Sequence, residues 1–127
     1  MIRSVIKITG IGFCLGGVVH WLIILGWMQE ITPTIITVYF HSLAVLSPLA
    51  GIGIFRFKEW GRKLGYFVVI TQIPSHTYMI LLDHFQNWGS GVGVFERSLD
   101  LLFAGFYIIF FNRQQVKIYF LAELTSD

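Results

Sequence analysis

Three histidines and one aspartate carry most of the chemistry that this sequence offers. His20, His41, His76 and Asp100 each fall in a different apolar region of the chain. Ionisable side chains in apolar segments are costly to keep and mark ligand, ion or proton sites. Neutral imidazole suits zinc, copper or iron, and three imidazoles with one carboxylate fill a four-coordinate shell. The expected site is therefore a transition-metal centre built from His20, His41, His76 and Asp100. A second expectation uses His20 and His76 as axial ligands of haem b, which leaves the third histidine idle.

Other polar residues lie close to these four along the chain. Glu96, Asp83 and Tyr39 are expected to accept hydrogen bonds from the imidazoles and so fix their tautomers. Gln72 lies four residues before His76, and Arg97 is expected to neutralise Asp100 at i, i+3 or Asp83 across the bundle. His84 follows Asp83 where it would titrate at the entrance to the site. A proton relay or proton-coupled transporter would use the same imidazoles and carboxylates, with Glu96 and Asp100 taking a cation. Its difficulty is the inner half of the first three helices, where Thr9, Thr71 and Gln72 are the few polar residues. The plainest alternative is an accessory subunit whose polar side chains only hydrogen-bond helices together. Cys14 reads as a packing residue. No H-E-x-x-H motif is present, and the glycine-rich 89–93 stretch has no lysine with which to act as a phosphate loop. No reaction is assigned.

The elements that must position these residues follow from composition. The chain has 127 residues, 55% hydrophobic, 17% aromatic and 13% charged, with one cysteine and a mean hydropathy of +0.71. Such a composition excludes a soluble globular domain, a disordered tail and a disulfide scaffold. Lys, Arg, Asp and Glu are missing from 22 residues after Lys7, 25 after Glu30, 19 after Lys63 and 12 after Asp100. The first three stretches are long enough to cross a bilayer at roughly 20 residues each. The fourth crosses only if its helix starts near Gly93 and carries Glu96, Arg97 and Asp100 into the membrane. The first stretch ends at Leu25-Gly26-Trp27 without an A-x-A-like site, so it reads as a retained span and not a cleaved signal.

The expected fold is thus all-α: one domain, an up-and-down bundle of four transmembrane helices over about 5–27, 33–55, 63–83 and 93–112, with a short tail at 113–127. Eight of the nine basic residues then fall on one side, and the positive-inside rule puts both termini in the cytoplasm of what reads as a prokaryotic cytoplasmic membrane. Arg56, Lys58, Arg62 and Lys63 are expected to meet anionic lipid headgroups. The basic balance reports topology and implies no nucleic-acid partner. Thr32 and Pro33 suit a helix start, Trp27 and Trp88 the outer interface, and Trp60 the inner one. Counted inward from the outer helix ends at about 1.5 Å per residue, His20, His41, His76 and Asp100 all lie about 10–12 Å deep. Gly12, Gly16 and His20 at i, i+4 and i+8 predict close helix packing on the face that bears His20. Pro48 and Pro74 free the carbonyls of Ala44 and Ile70, which favours a wet or coordinated interior. A chain with so little outside the membrane is expected to work as a homo-oligomer or with other membrane subunits.

Two cytoplasmic stretches carry a resemblance. Phe55-Arg56-Phe57-Lys58-Glu59-Trp60-Gly61-Arg62-Lys63-Leu64 and Arg113-Gln114-Gln115-Val116-Lys117-Ile118-Tyr119-Phe120 resemble small uncharacterised four-helix prokaryotic membrane proteins, with their W-[AG]-R loop and V-K-x-x-F ending. The resemblance implies the same topology and no activity. Val116, Tyr119, Phe120 and Glu123 at helical spacing predict either a short interfacial helix or an extension of the fourth span.

Overall fold

A computed structural model describes residues 1–27, 34–86 and 91–122; within them the side chains of 20, 23–27, 34–37, 40, 82–86, 91–93 and 96 lie outside the described set. The Thr32–Pro33 start, the Trp27 and Trp88 side chains, residues 89 and 90 of the glycine-rich stretch and Glu123 therefore fall outside it, whereas the backbone of 91–93 belongs to the fourth helix. The described chain is all helix: α1 (Ile2–Trp27), α2 (Thr34–Phe55), α3 (Glu59–Gln86), α4 (Gly91–Phe111) and α5 (Gln114–Leu121). Among the described residues, α1 over Ile2–Val19 is the one helix long and apolar enough to cross a membrane, and the apolar part of α2, His41–Phe55, is shorter. Gln72, His76, Arg97 and Asp100 lower the apolar content of α3 and α4.

Consecutive helices pack on one another, α1 on α2, α2 on α3 and α3 on α4. The backbones of α1 and α2 nearly touch: a Cβ at Gly10 would stand 2.8 Å from the Gly51 carbonyl oxygen, and one at Gly17 would overlap the Pro48 ring. The expected packing through Gly12 and Gly16 is corrected here. Nothing lies within 4 Å of where their Cβ atoms would be, because these two residues face the gap between α1 and α4. Pro48 sits against Gly17, and the Cys14 Sγ lies 3.6 Å from the Pro48 carbonyl oxygen. Packing thus accounts for Pro48 without a wet interior.

The α2–α3 turn closes with the Phe57 N–H donating to the Ile54 carbonyl (2.9 Å) and the Lys58 N–H to that of Gly53 (2.8 Å). This pair of hydrogen bonds ends a helix when the first of the two donor residues is left-handed, usually a glycine. Here it is Phe57, with φ of 58°. Its ring compensates, lying under the Arg3 guanidinium and beside Tyr119 and Phe120. The chain breaks at Asn112 and Arg113, and α5 is a separate helix that buries Val116 and Phe120. It does not extend α4. The start of α1, the α2–α3 turn and the α4–α5 corner therefore meet at one end of the bundle, where eight of the nine basic residues gather.

Among the described residues, the fully buried aromatic side chains lie towards this end. Tyr107 is fully buried, stacked on Phe111 at 4.2 Å and edge-on to Tyr66 and Phe13. Its hydroxyl donates to the Arg62 carbonyl at 3.0 Å and occupies the space that a side chain at Gly65 would take.

Candidate functional site

Gln72, Ser75 and His76 lie within about one turn of α3, so the helical spacing alone puts them near one another. The His76 side chain is 10% exposed. Its Nδ1 lies 2.9 Å from the Gln72 carbonyl oxygen, which also accepts the Ser75 hydroxyl at 2.9 Å. α4 brings Asp100 alongside, with Oδ2 3.1 Å from His76 Nε2. A carbonyl only accepts, so Nδ1 carries hydrogen. Nε2 and a carboxylate oxygen cannot face each other at 3.1 Å as two lone pairs. The hydrogen-bond pattern therefore assigns one proton to the space between them, on the imidazole or on the carboxyl.

The pair belongs to a longer network. The Tyr39 hydroxyl of α2 donates to the Thr71 carbonyl at 2.6 Å and reaches Ser75 Oγ at 3.4 Å. Tyr39, Ser75, the Gln72 carbonyl, His76 and Asp100 thus run from α2 across α3 to α4. Asp100 is half-exposed, and the side left free of His76 faces a groove of about 350 Å³. Gly12 and Gly16 of α1, Ser47 of α2, Gln72 of α3, and Leu99 and Phe103 of α4 line it with Asp100. The groove exists because α1 and α4 do not pack along their lengths among the described residues. Towards the α5 end Phe13 spans the gap, its ring 5.6 Å from that of Phe103 and 5.3 Å from that of Tyr107.

Of the four residues expected to form one centre, the structure brings together His76 and Asp100. His41 is half-buried on α2 and does not join them; among the described residues no three His, Cys, Asp or Glu gather at one point. Equal depth does not imply contact, because rotation about the helix axis places a side chain independently of its height. The His20 side chain and those of Asp83, His84 and Glu96 lie outside the described residues. Arg97 is half-buried on α4, three residues before Asp100. Tyr39 donates to the Thr71 carbonyl and reaches Ser75 Oγ, which shares the Gln72 carbonyl with the His76 imidazole.

The four basic residues expected at lipid headgroups divide. Arg56, Lys58 and Lys63 are exposed. Arg62 turns inward, with Nε 2.7 Å and Nη2 2.5 Å from the two Glu59 carboxylate oxygens and Nη1 3.4 Å from the Phe111 carbonyl oxygen. Its task is to join the start of α3 to the end of α4. The Arg62 guanidinium holds the Glu59 carboxyl below the usual range, against a smaller opposing effect of burial. Sequence reasoning missed Ser75 and Ser47, whose only signal was an i−1 position beside His76 and a place on the Gly-rich side of α2. Compared with known proteins, the chain matches no family model, no curated protein and no solved structure.

Proposed function

We propose that the chain is a small multi-pass integral membrane protein of four spanning helices with both termini in the cytoplasm, working as an oligomer or as a subunit of a larger complex. Its functional centre in this reading is the His76–Asp100 pair, which holds a proton inside the membrane and binds a polar ligand from the groove. Several observations support the membrane part. Large apolar side chains point outward on every long helix, among them Ile8, Leu15, Val45, Phe67, Leu102 and Ile109, each more than half exposed. A soluble protein rarely exposes apolar surface so continuously. The hydroxyls of Thr9, Ser42, Thr77 and Ser98 each donate to the carbonyl four residues back, as suits side chains without water. The gathering of basic residues at one end agrees with a cytoplasmic face.

The observation that carries the site is the 3.1 Å approach of His76 Nε2 to Asp100 Oδ2 with Nδ1 already committed to a carbonyl. Infrared difference spectra of the purified protein, recorded across a pH titration, test it. A proton uptake signal from imidazole and carboxyl groups is expected, and Asp100→Asn and His76→Gln should each remove it. Spectra unchanged in both variants would overturn the assignment.

A second reading has its own observation, since an imidazole whose Nδ1–H is held by a carbonyl is oriented for metal ligation through Nε2. His76 and Asp100 would supply two donors to zinc, copper or iron, and His20 or a second copy of the chain the others. Haem b fits poorly, because about 350 Å³ is near the lower limit of small-ligand pockets. Elemental analysis of protein purified without chelators or a metal column separates these cases. Near-stoichiometric metal, lost in His76→Ala, would favour the metal centre over the proton-holding pair. Transport requires Phe13, Phe103 and Tyr107 to part, because their rings close the groove towards the cytoplasmic end.

A further inference from the structure

We propose that the groove between α1 and α4 binds a neutral, hydroxyl-bearing amphiphile, its head against Asp100 and Gln72 and its chain leaving sideways into the bilayer. This rests on the membrane reading above and names the ligand class of the same site.

The polarity of the lining is divided. Gln72 of α3 and Asp100 of α4 provide hydrogen-bonding groups, the Ser47 hydroxyl of α2 is already given to the Phe13 carbonyl, and Phe13, Leu43, Leu99 and Phe103 are apolar. Such a division suits a molecule with one polar end. The α1 wall is Gly12, Phe13, Gly16 and Gly17: a Cβ at Gly12 or Gly16 would meet nothing within 4 Å, so these two leave the groove open, whereas one at Gly17 would meet the Pro48 ring of α2. The lateral gap thus follows the helix axes, in the direction in which an acyl chain would lie. At about 30 Å³ per small group, about 350 Å³ admits roughly a dozen non-hydrogen atoms, enough for a head and its first few methylenes.

Charge selects the head. One proton shared by His76 and Asp100 leaves the pair without net charge, and Arg97 stands three residues before Asp100 on the same helix. An ammonium head therefore meets no uncompensated anion. A carboxylate head would face the oxygen edge of Asp100, which only accepts hydrogen bonds while ionised. A hydroxyl donates to that edge and accepts from the Gln72 amide, so it satisfies both groups without adding charge.

Native mass spectrometry of the full chain, released from micelles with one oleyl-chain probe at a time, tests this. The probes are monoolein, oleate and oleylamine, which share a tail and differ in head charge. Monoolein adducts should exceed either charged probe by about tenfold. Asp100→Asn should weaken monoolein binding several-fold, and Gly16→Leu should abolish it by filling the groove. Nothing stands within 4 Å of the Cβ position at Gly16 or Gly12, so both sites have room for the start of a side chain; thermal melting checks that each Leu variant is folded, and Gly12→Leu serves if the first does not fold. Equal binding of the three probes, or wild-type binding in a folded Leu variant, would overturn the proposal. Should the infrared proton signal persist alongside such a result, the ligand class fails alone; loss of that signal in the wild type removes the pair itself.

Discussion

Single polar atoms decide much of how this bundle holds together, and Tyr107 is the clearest case. Its side chain is fully buried, and its hydroxyl has the Arg62 carbonyl as a partner. Tyr107→Phe keeps the stack on Phe111 and removes that bond, leaving a buried carbonyl short of a donor. A loss of about 1 kcal/mol is expected, read as a melting point lowered by a few degrees by circular dichroism in detergent, with helicity unchanged. Gly65→Ala should cost more, since its methyl would overlap the tyrosine oxygen. Glu59 gives a pH prediction. Its carboxyl, hydrogen-bonded by Arg62, is held lower in the folded chain than its ordinary value of about 4.3. A lowered folded value means stability that is present above the unfolded range and lost as pH falls through the folded value. The melting-point gap between wild type and Glu59→Gln should thus be constant from about pH 7 to 5 and close on further acidification; a gap independent of pH would contradict the pairing. The sequence made His76 and Asp100 stand out by their apolar surroundings. It carried no sign that Arg62 turns inward, because nothing in a run of basic residues distinguishes the one whose neighbour three residues back accepts its guanidinium.

Between elements, glycine position matters more than glycine number. Gly10 and Gly12 lie two residues apart on α1, yet one touches the α2 backbone and the other faces open space. Gly10→Ala must push the helices apart and should lower stability measurably. Gly12→Ala should be neutral or stabilising by about 0.5–1 kcal/mol, from the lower backbone entropy of alanine in a helix. The reverse order in thermal melts would mean that α1 is rotated about its axis relative to the packing described. The α5 helix is held through Phe120, which packs on Phe57 and Phe111. Its apolar spacing and the end of the fourth helix near 112 were readable in the sequence, but whether the chain turns there or runs on as one helix was not, since no proline or glycine marks the corner.

At the scale of the whole molecule the outward apolar surface and the one-sided basic charge make a topology prediction. In a Cys14→Ala background, Lys58→Cys and Lys117→Cys should react with a membrane-impermeant thiol reagent only from the cytoplasmic side, and Gly89→Cys only from the other. Labelling of all three from one side would overturn the four-span reading. In the four-span reading a charge on the lipid face would cost several kcal/mol, which agrees with His76 being buried and with Asp100 meeting it across α3 and α4.

Composition and the spacing of charges determined by themselves that the chain is helical, that its basic residues gather at one end, and that four ionisable residues lie within its apolar stretches. These properties are linear, since helix length and height follow from residue count at about 1.5 Å each. Only the tertiary structure decided that His76 meets Asp100 while His41 stands apart, that Gly12 and Gly16 line a groove, and that Tyr39 serves a carbonyl. Those contacts depend on how each helix is turned about its axis. That angle is set by backbone contacts such as Gly10 on Gly51 and Gly17 on Pro48, which no one-helix pattern contains.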